Sequence, residues 1–140
     1  MKIPSILKNI VNRKIGDIQS RKKRLPFTEI EQLASSTGPP LNLAGALMGE
    51  KVRLIAEIKK ASPSRGIMSP QFDPAVLARH YAKNGAAAVS VLTEENYFMG
   101  RLEDIGAVKQ AIGDPGLPVL CKDFIFDPYQ ILEAKVYGAD

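Results

Sequence analysis

Three charged side chains stand where apolar strands end. In LIAEIKKASPS (54–64), Glu57 and Lys59 lie two residues apart at the close of an apolar run, and in LPVLCKDF (117–124) Lys122 holds the corresponding place. Alternate side chains of a strand point to opposite faces, so Ile55, Glu57 and Lys59 share one face while Leu54, Ala56 and Ile58 share the other. By the same period Lys122 and Phe124 share a face. An ammonium beside a carboxylate can move protons: it donates to a carbonyl oxygen while the carboxylate orients it or takes a proton back. Taken alone, a Glu-x-Lys is an exposed ion pair on an edge strand, worth little to stability. What decides between the two readings is the set of elements that position these residues.

From residue 53 onward the pattern alternates. A strand over Arg53 to Lys59 leads through a Ser/Pro/Gly loop to Phe72-Asp73-Pro74, where Asp73 suits a helix N-cap and Pro74 the first helical position, and the helix runs to Asn84-Gly85. A second strand, Ala87 to Leu92, is followed by the loop TEENYFMG and a helix from about Leu102 to Ile112. That helix buries Leu102, Ile105, Val108 and Ile112, and Gly113-Asp114-Pro115 ends it. A third strand, Leu117 to Lys122, leads to Phe126-Asp127-Pro128, which repeats the earlier cap, and to a helix through Tyr137 stopped by Gly138. Such β-α repetition implies parallel strands joined by right-handed crossovers.

Asn84-Gly85-Ala86 closes the first helix just before a strand, and Tyr137-Gly138-Ala139-Asp140 has the same form, so a fourth strand is due where the sequence stops. Parallel βα units close most often into an eight-fold barrel of about 250 residues. The fold class expected is therefore α/β, the N-terminal part of a (β/α)8 TIM barrel: residues 1–50 form a helical extension and 51–140 three βα units cut before strand 4. A doubly wound sheet fits less well, because the first βα loop lacks a G-x-G-x-x-G fingerprint. In a barrel, Leu54, Ala56 and Ile58 suit the helix layer, which turns Glu57 and Lys59 inward at the C-terminal mouth. Buried charges there cost several kcal/mol unless compensated, so their convergence points to function.

Composition sets outer limits. At 140 residues and 45% hydrophobic, the chain reads as an ordinary globular protein. It has no apolar run near the roughly 18 residues of a membrane span, and Met1 to Asn12 lacks the apolar core and cleavage site of a secretory signal. The expectation is a cytoplasmic protein with no membrane partner. Cys121 has no second cysteine to pair with and no neighbour at metal-ligand spacing, and reads as a small core side chain. His80, inside a helix, reads as solvated or capping. Residues 1–25 hold eight Lys or Arg against Asp17, leaving the rest net negative within a total of +4. The run Arg21 to Arg24 suits the wet face of an amphipathic helix whose apolar side is Ile6, Leu7, Ile10, Val11, Ile15 and Ile18. With no aromatic interleaving, no nucleic-acid partner is expected.

The stretches IAEIKKASPSRG (55–66), FDP (72–74), GAAAVSVLTEENYFMG (85–100), LPVLCKDFIFDPYQILEA (117–134) and GAD (138–140) closely resemble the indole-3-glycerol phosphate synthases of tryptophan biosynthesis. The resemblance covers roughly residues 5–140 and rests on several motifs in the right order and spacing. It implies a (β/α)8 barrel with an N-terminal helical segment and a carbon-carbon lyase of the carboxy-lyase type. The reaction closes the indole ring of 1-(2-carboxyphenylamino)-1-deoxyribulose 5-phosphate, a small phosphorylated substrate, with loss of carbon dioxide and water. It implies no metal and no organic cofactor.

The same resemblance assigns roles position by position. Lys122, in CKDF, matches a lysine serving as general acid on the substrate carbonyl during ring closure. Lys59, in EIKK, matches a second lysine that contacts anionic groups and acts in dehydration, and Glu57 matches the glutamate that orients a lysine and handles a proton in that step. Phe98 and Phe124 match apolar contacts to the anthranilate ring. Ser62, Ser64 and Arg65 form a polar loop suited to phosphate or carboxylate, or equally a plain turn. The family's later strands add a further glutamate, an asparagine and the groups that hold the substrate phosphate, none of which falls within these 140 residues. The expectation is an inactive fragment, with the third strand an unpaired apolar edge prone to self-association. Three other readings stand beside it: a lysine-dependent barrel lyase using Lys122 as a Schiff-base nucleophile, a non-catalytic half-barrel needing a partner, and a nucleic-acid module on the basic arm.

Overall fold

The computed structural model describes residues 5–113 and 116–140. Three helices come first: α1 (Ser5–Arg24), α2 (Phe27–Ser36) and the short α3 (Leu43–Ala46). Then follow β1 (Ile55–Ile58), the small strands β2 (Ala61–Ser62) and β3 (Gly66–Ile67), α4 (Pro74–Lys83), β4 (Ala88–Leu92), α5 (Glu103–Ile112), β5 (Val119–Lys122) and α6 (Pro128–Val136). β1, β4 and β5 form one parallel sheet in the order β1-β4-β5. Right-handed crossovers through α4 and α5 are what such neighbouring parallel strands require. The strands are shorter than the sequence pattern suggests, because the flanking residues extend beyond the paired ladder.

Local signals set the helix boundaries. The Asp73 carboxylate accepts the backbone N–H groups of Ala75 and Val76 at 2.9 and 3.1 Å, with Pro74 at the first helical position. Asp127 does the same for α6 and completes a capping box with Gln130. Gly85, at φ 85°, turns the chain out of α4 into β4. Gly113 follows α5, whereas the Asp114-Pro115 part of the expected stop lies outside the described residues. The Ser/Pro/Gly segment after β1 is a tight antiparallel hairpin rather than an irregular loop, with Ser62 opposite Gly66.

The core lies between the sheet and its helices. Ile58, Val89, Val91 and Val119 pack against Ala78, Ile105 and Val108, all fully or almost fully buried. Each of the Ile and Val side chains contributes about 1.5–3 kcal/mol on leaving water. Ala56 is also buried, but Leu54 is 60% exposed: it precedes the paired residues of β1, and the helix layer does not reach it. A second cluster joins Ile18 of α1, Ile30 of α2 and Tyr129 of α6, fixing the first helices to the outside of the third βα unit.

α1 departs from its expected face in two ways. Lys14 takes a buried place, 4% exposed, where the apolar stripe puts Ile15, which is 41% exposed. Moreover, only part of the basic run is on a wet face: Lys23 and Arg24 are exposed, whereas Arg21 and Lys22 are half-buried. Arg21 bridges Glu95 and Glu133 at 2.9 and 3.2 Å, and Lys22 meets Asp127 at 2.6 Å. Carboxylates from the βα loops and α6 draw these cations inward, an effect that a helical period does not reveal. No helix among the described residues is long and apolar enough to cross a membrane.

Candidate active site

The parallel register puts the charged residues in rows. Glu57 stands beside Ser90, and Ser90 beside Leu120; Lys122 stands beside Leu92. Lys59 follows directly on β1, two residues beyond Glu57 on the same face. At this C-terminal end of the sheet a cavity of about 240 Å³ is lined by Glu57, Lys59, Leu92, Phe98, Lys122, Asp123 and Phe124. The Lys59 ammonium donates to Glu57 Oε1 at 2.8 Å, with both side chains about one-third exposed. Lys122 is exposed at the mouth and, among the described residues, makes no ion pair. One lysine is thus held by a carboxylate and the other is open to a ligand.

An apolar slot adjoins the charged cavity. The rings of Phe98 and Phe124 stand 6.2 Å apart, tilted by 44°. They also line a second cavity of about 470 Å³, together with Ile6, Leu7 and Ile10 of α1 and Ser62, Pro63 and Ser64 of the hairpin. α1 therefore roofs the slot. Arg65 is exposed and lines neither cavity. A third cavity, about 390 Å³, lies among α1, α2, α5 and α6, and of its charged residues Arg21, Glu95 and Glu133 pair with one another, while Arg24 and Glu103 also line it.

Several positioning residues escaped the sequence reading. Glu94, 2% exposed, accepts the backbone N–H groups of Asn96, Tyr97 and Phe98 at 3.1, 2.6 and 3.1 Å, which shapes the loop that presents Phe98. That loop closes with Gly100, where an added Cβ would lie 2.0 Å from the Leu92 carbonyl oxygen. On the other side, the Gln130 amide donates to the Phe124 carbonyl and accepts from Phe126 and Asp127, fixing the turn after β5. Asp123 accepts from Thr93 Oγ1 and from the Phe124 N–H, both at 2.7 Å, and pairs with Lys14 at 2.7 Å. The available signal was a carboxylate directly after an apolar strand, in Leu92-Thr93-Glu94 and Cys121-Lys122-Asp123, a place where its oxygens find turn N–H groups.

Cys121 packs against the core on the opposite face of β5. Burial pushes its thiol above the ordinary range, against a contact with Thr93 Oγ1 at 3.4 Å that acts the other way. A thiol so placed is a poor nucleophile.

A parallel sheet flanked by helices, with charged and aromatic groups collected at the C-terminal ends of its strands, is what the opening units of a (β/α)-barrel present. The family model for indole-3-glycerol phosphate synthase matches residues 7–140, and the chain belongs to that family. Similar curated proteins carry the same name. One from Dehalococcoides mccartyi is 49% identical over 136 residues, covering 96% of this chain and 52% of the relative. One from Carboxydothermus hydrogenoformans is 50% identical over 141 residues, covering 96% and 52%. Another, from Microcystis aeruginosa, is 44% identical over 138 residues, covering 97% and 46%. The chain spans about half the length of the curated relatives it matches.

Proposed function

We propose that these residues form the proton-transfer side of an indole-3-glycerol phosphate synthase mouth, with residues 1–50 as a helical extension and 51–140 as the first three βα units of the barrel. The observation that carries this reading is the convergence of Glu57, Lys59 and Lys122 with the Phe98 and Phe124 rings around one cavity at the strand ends. The anthranilate ring of 1-(2-carboxyphenylamino)-1-deoxyribulose 5-phosphate lies in the aromatic slot, under α1 and beside Ser62 and Ser64. Lys122, the unpaired ammonium, donates a proton to the substrate carbonyl as the ring carbon attacks it, and carbon dioxide leaves as aromaticity returns. Lys59, held by Glu57, donates to the departing hydroxyl in the dehydration, and Glu57 takes the ring proton. Arg65 has no part in this arrangement unless the hairpin moves. A cytoplasmic location goes with the reading.

The substrate phosphate and a partner base are met by the family's later strands, so the 140 residues alone are expected to give no turnover. The test offers substrate to two proteins and follows indole fluorescence. One is this chain by itself; the other is this chain joined to the remaining half of the Dehalococcoides mccartyi relative. Product from the joined protein alone supports the reading. A joined protein that folds but yields none would overturn it.

A further inference from the structure

Asp123 is placed to spoil Lys122. It follows that lysine directly in the chain and lines the same cavity, so a carboxylate swung towards the mouth would pair with the ammonium. Instead its oxygens are engaged elsewhere. Oδ1 meets the Lys14 ammonium and the Phe124 N–H, and Oδ2 accepts from Thr93, in a site where the Lys14 and Asp123 side chains are 5% and 8% exposed. Lys14 reaches this point from the N-terminal helix, more than a hundred residues away in sequence. No other described cation is available in its stead: Arg21 lines the same small inner cavity but is committed to Glu95 and Glu133.

We propose that Lys14 is a positioning residue whose buried ion pair sequesters the Asp123 carboxylate and so leaves the Lys122 ammonium unpaired in the mouth. A buried ion pair is a poor device for stability, since apolar residues of the same shape would serve as well. Holding a charge in one orientation is a role that apolar residues cannot fill. The arrangement also makes α1 a part of the site: undocking the helix would free Asp123 and quench Lys122. The catalytic importance of this rests on the reading of Lys122 as proton donor, but the sequestering itself does not.

The test therefore reads Lys122 directly and needs no turnover. The 140-residue chain is labelled with trinitrobenzenesulfonate at fixed pH, and the rate at Lys122 is followed by peptide mass spectrometry with Lys59 as internal reference. Lys14→Met is expected to slow labelling of Lys122 about tenfold, the effect of a new carboxylate partner on an amine. Lys14→Arg should keep the normal rate, and the double variant Lys14→Met/Asp123→Asn should restore it. A folded Lys14→Met protein with an unchanged Lys122 rate, or a double variant as slow as the single one, would overturn the proposal. Should Lys14→Met not fold, Asp123→Asn alone decides: an unchanged rate is expected, whereas a rate rising about tenfold would show that Asp123 already pairs with Lys122. Labelling as expected, with a Lys122 that proves dispensable for turnover, would sink the catalytic reading and leave the sequestering intact.

Discussion

Glu94 and Gly100 show how single residues decide the shape of this mouth. The Glu94 carboxylate replaces water for three backbone N–H groups, and hydrogen bonds to a charged acceptor are worth about 1.5–3 kcal/mol each where a neutral one gives about 1. Glu94→Ala should therefore cost about 3 kcal/mol or more in urea unfolding and free the loop that carries Phe98. Gly100→Ala presses a methyl into the Leu92 carbonyl, a backbone group that cannot rotate away, and should also cost about 3 kcal/mol or more. Unchanged midpoints would mean that the loop does not depend on these contacts. Glu57, Lys59, Lys122 and Phe124 were found by spacing, since strand alternation turns each pair to one face, whereas Phe98, on the loop after β4, was reached only through the family resemblance. Lys14 and Asp123 were not, because their pairing joins positions with no local relation.

At the scale of elements, Asp127 carries both a cap and an anchor. The bond from Lys22, then that from the Tyr129 N–H, holds its carboxyl below the ordinary 3.8. A depressed folded value means stabilisation that is complete above the unfolded value of 3.8 and is lost as pH falls through the lower folded one. Asp127→Ala should lower stability by about 1–2 kcal/mol at neutral pH and leave less to lose below pH 3.8, measured by thermal melts across that range. An equal loss at pH 7 and pH 2 would contradict this. Both Asp-Pro caps were legible because a cap is a contact between near neighbours. The face of α1 was not: its apolar type put Ile15 on the buried stripe, but the buried row is Ile10, Lys14 and Ile18, four residues apart, and carboxylates from distant elements pair with Lys14 and Arg21 there. Leu54 failed for a related reason, as alternation fixes its face but not whether a helix covers that end.

For the whole molecule, the sheet order leaves β1 and β5 as its outer strands, and Leu120 of β5 is 38% exposed on the mouth-side face. Asp140 takes up the Val119 N–H and carbonyl, but an outer strand left unpaired along the rest of its length invites pairing with another copy. The 140-residue chain is expected to self-associate with rising concentration in sedimentation experiments, and Leu120→Lys to shift it towards monomer; a monomer at all concentrations would speak against this. Parallel βα order and the inward turn of Glu57 and Lys59 followed from the alternation of strands and capped helices. How the N-terminal helices lie did not, because docking on α6 depends on ion pairs made across the fold.

The most direct measurement is kcat for Lys122→Ala in the chain joined to the later half of the Dehalococcoides mccartyi relative. With Lys122 as proton donor in ring closure, kcat should fall by about 10²–10⁴ while the protein remains folded. A folded variant that keeps its rate within about twofold would contradict the assignment, since a general acid in the barrier-forming step contributes far more than that.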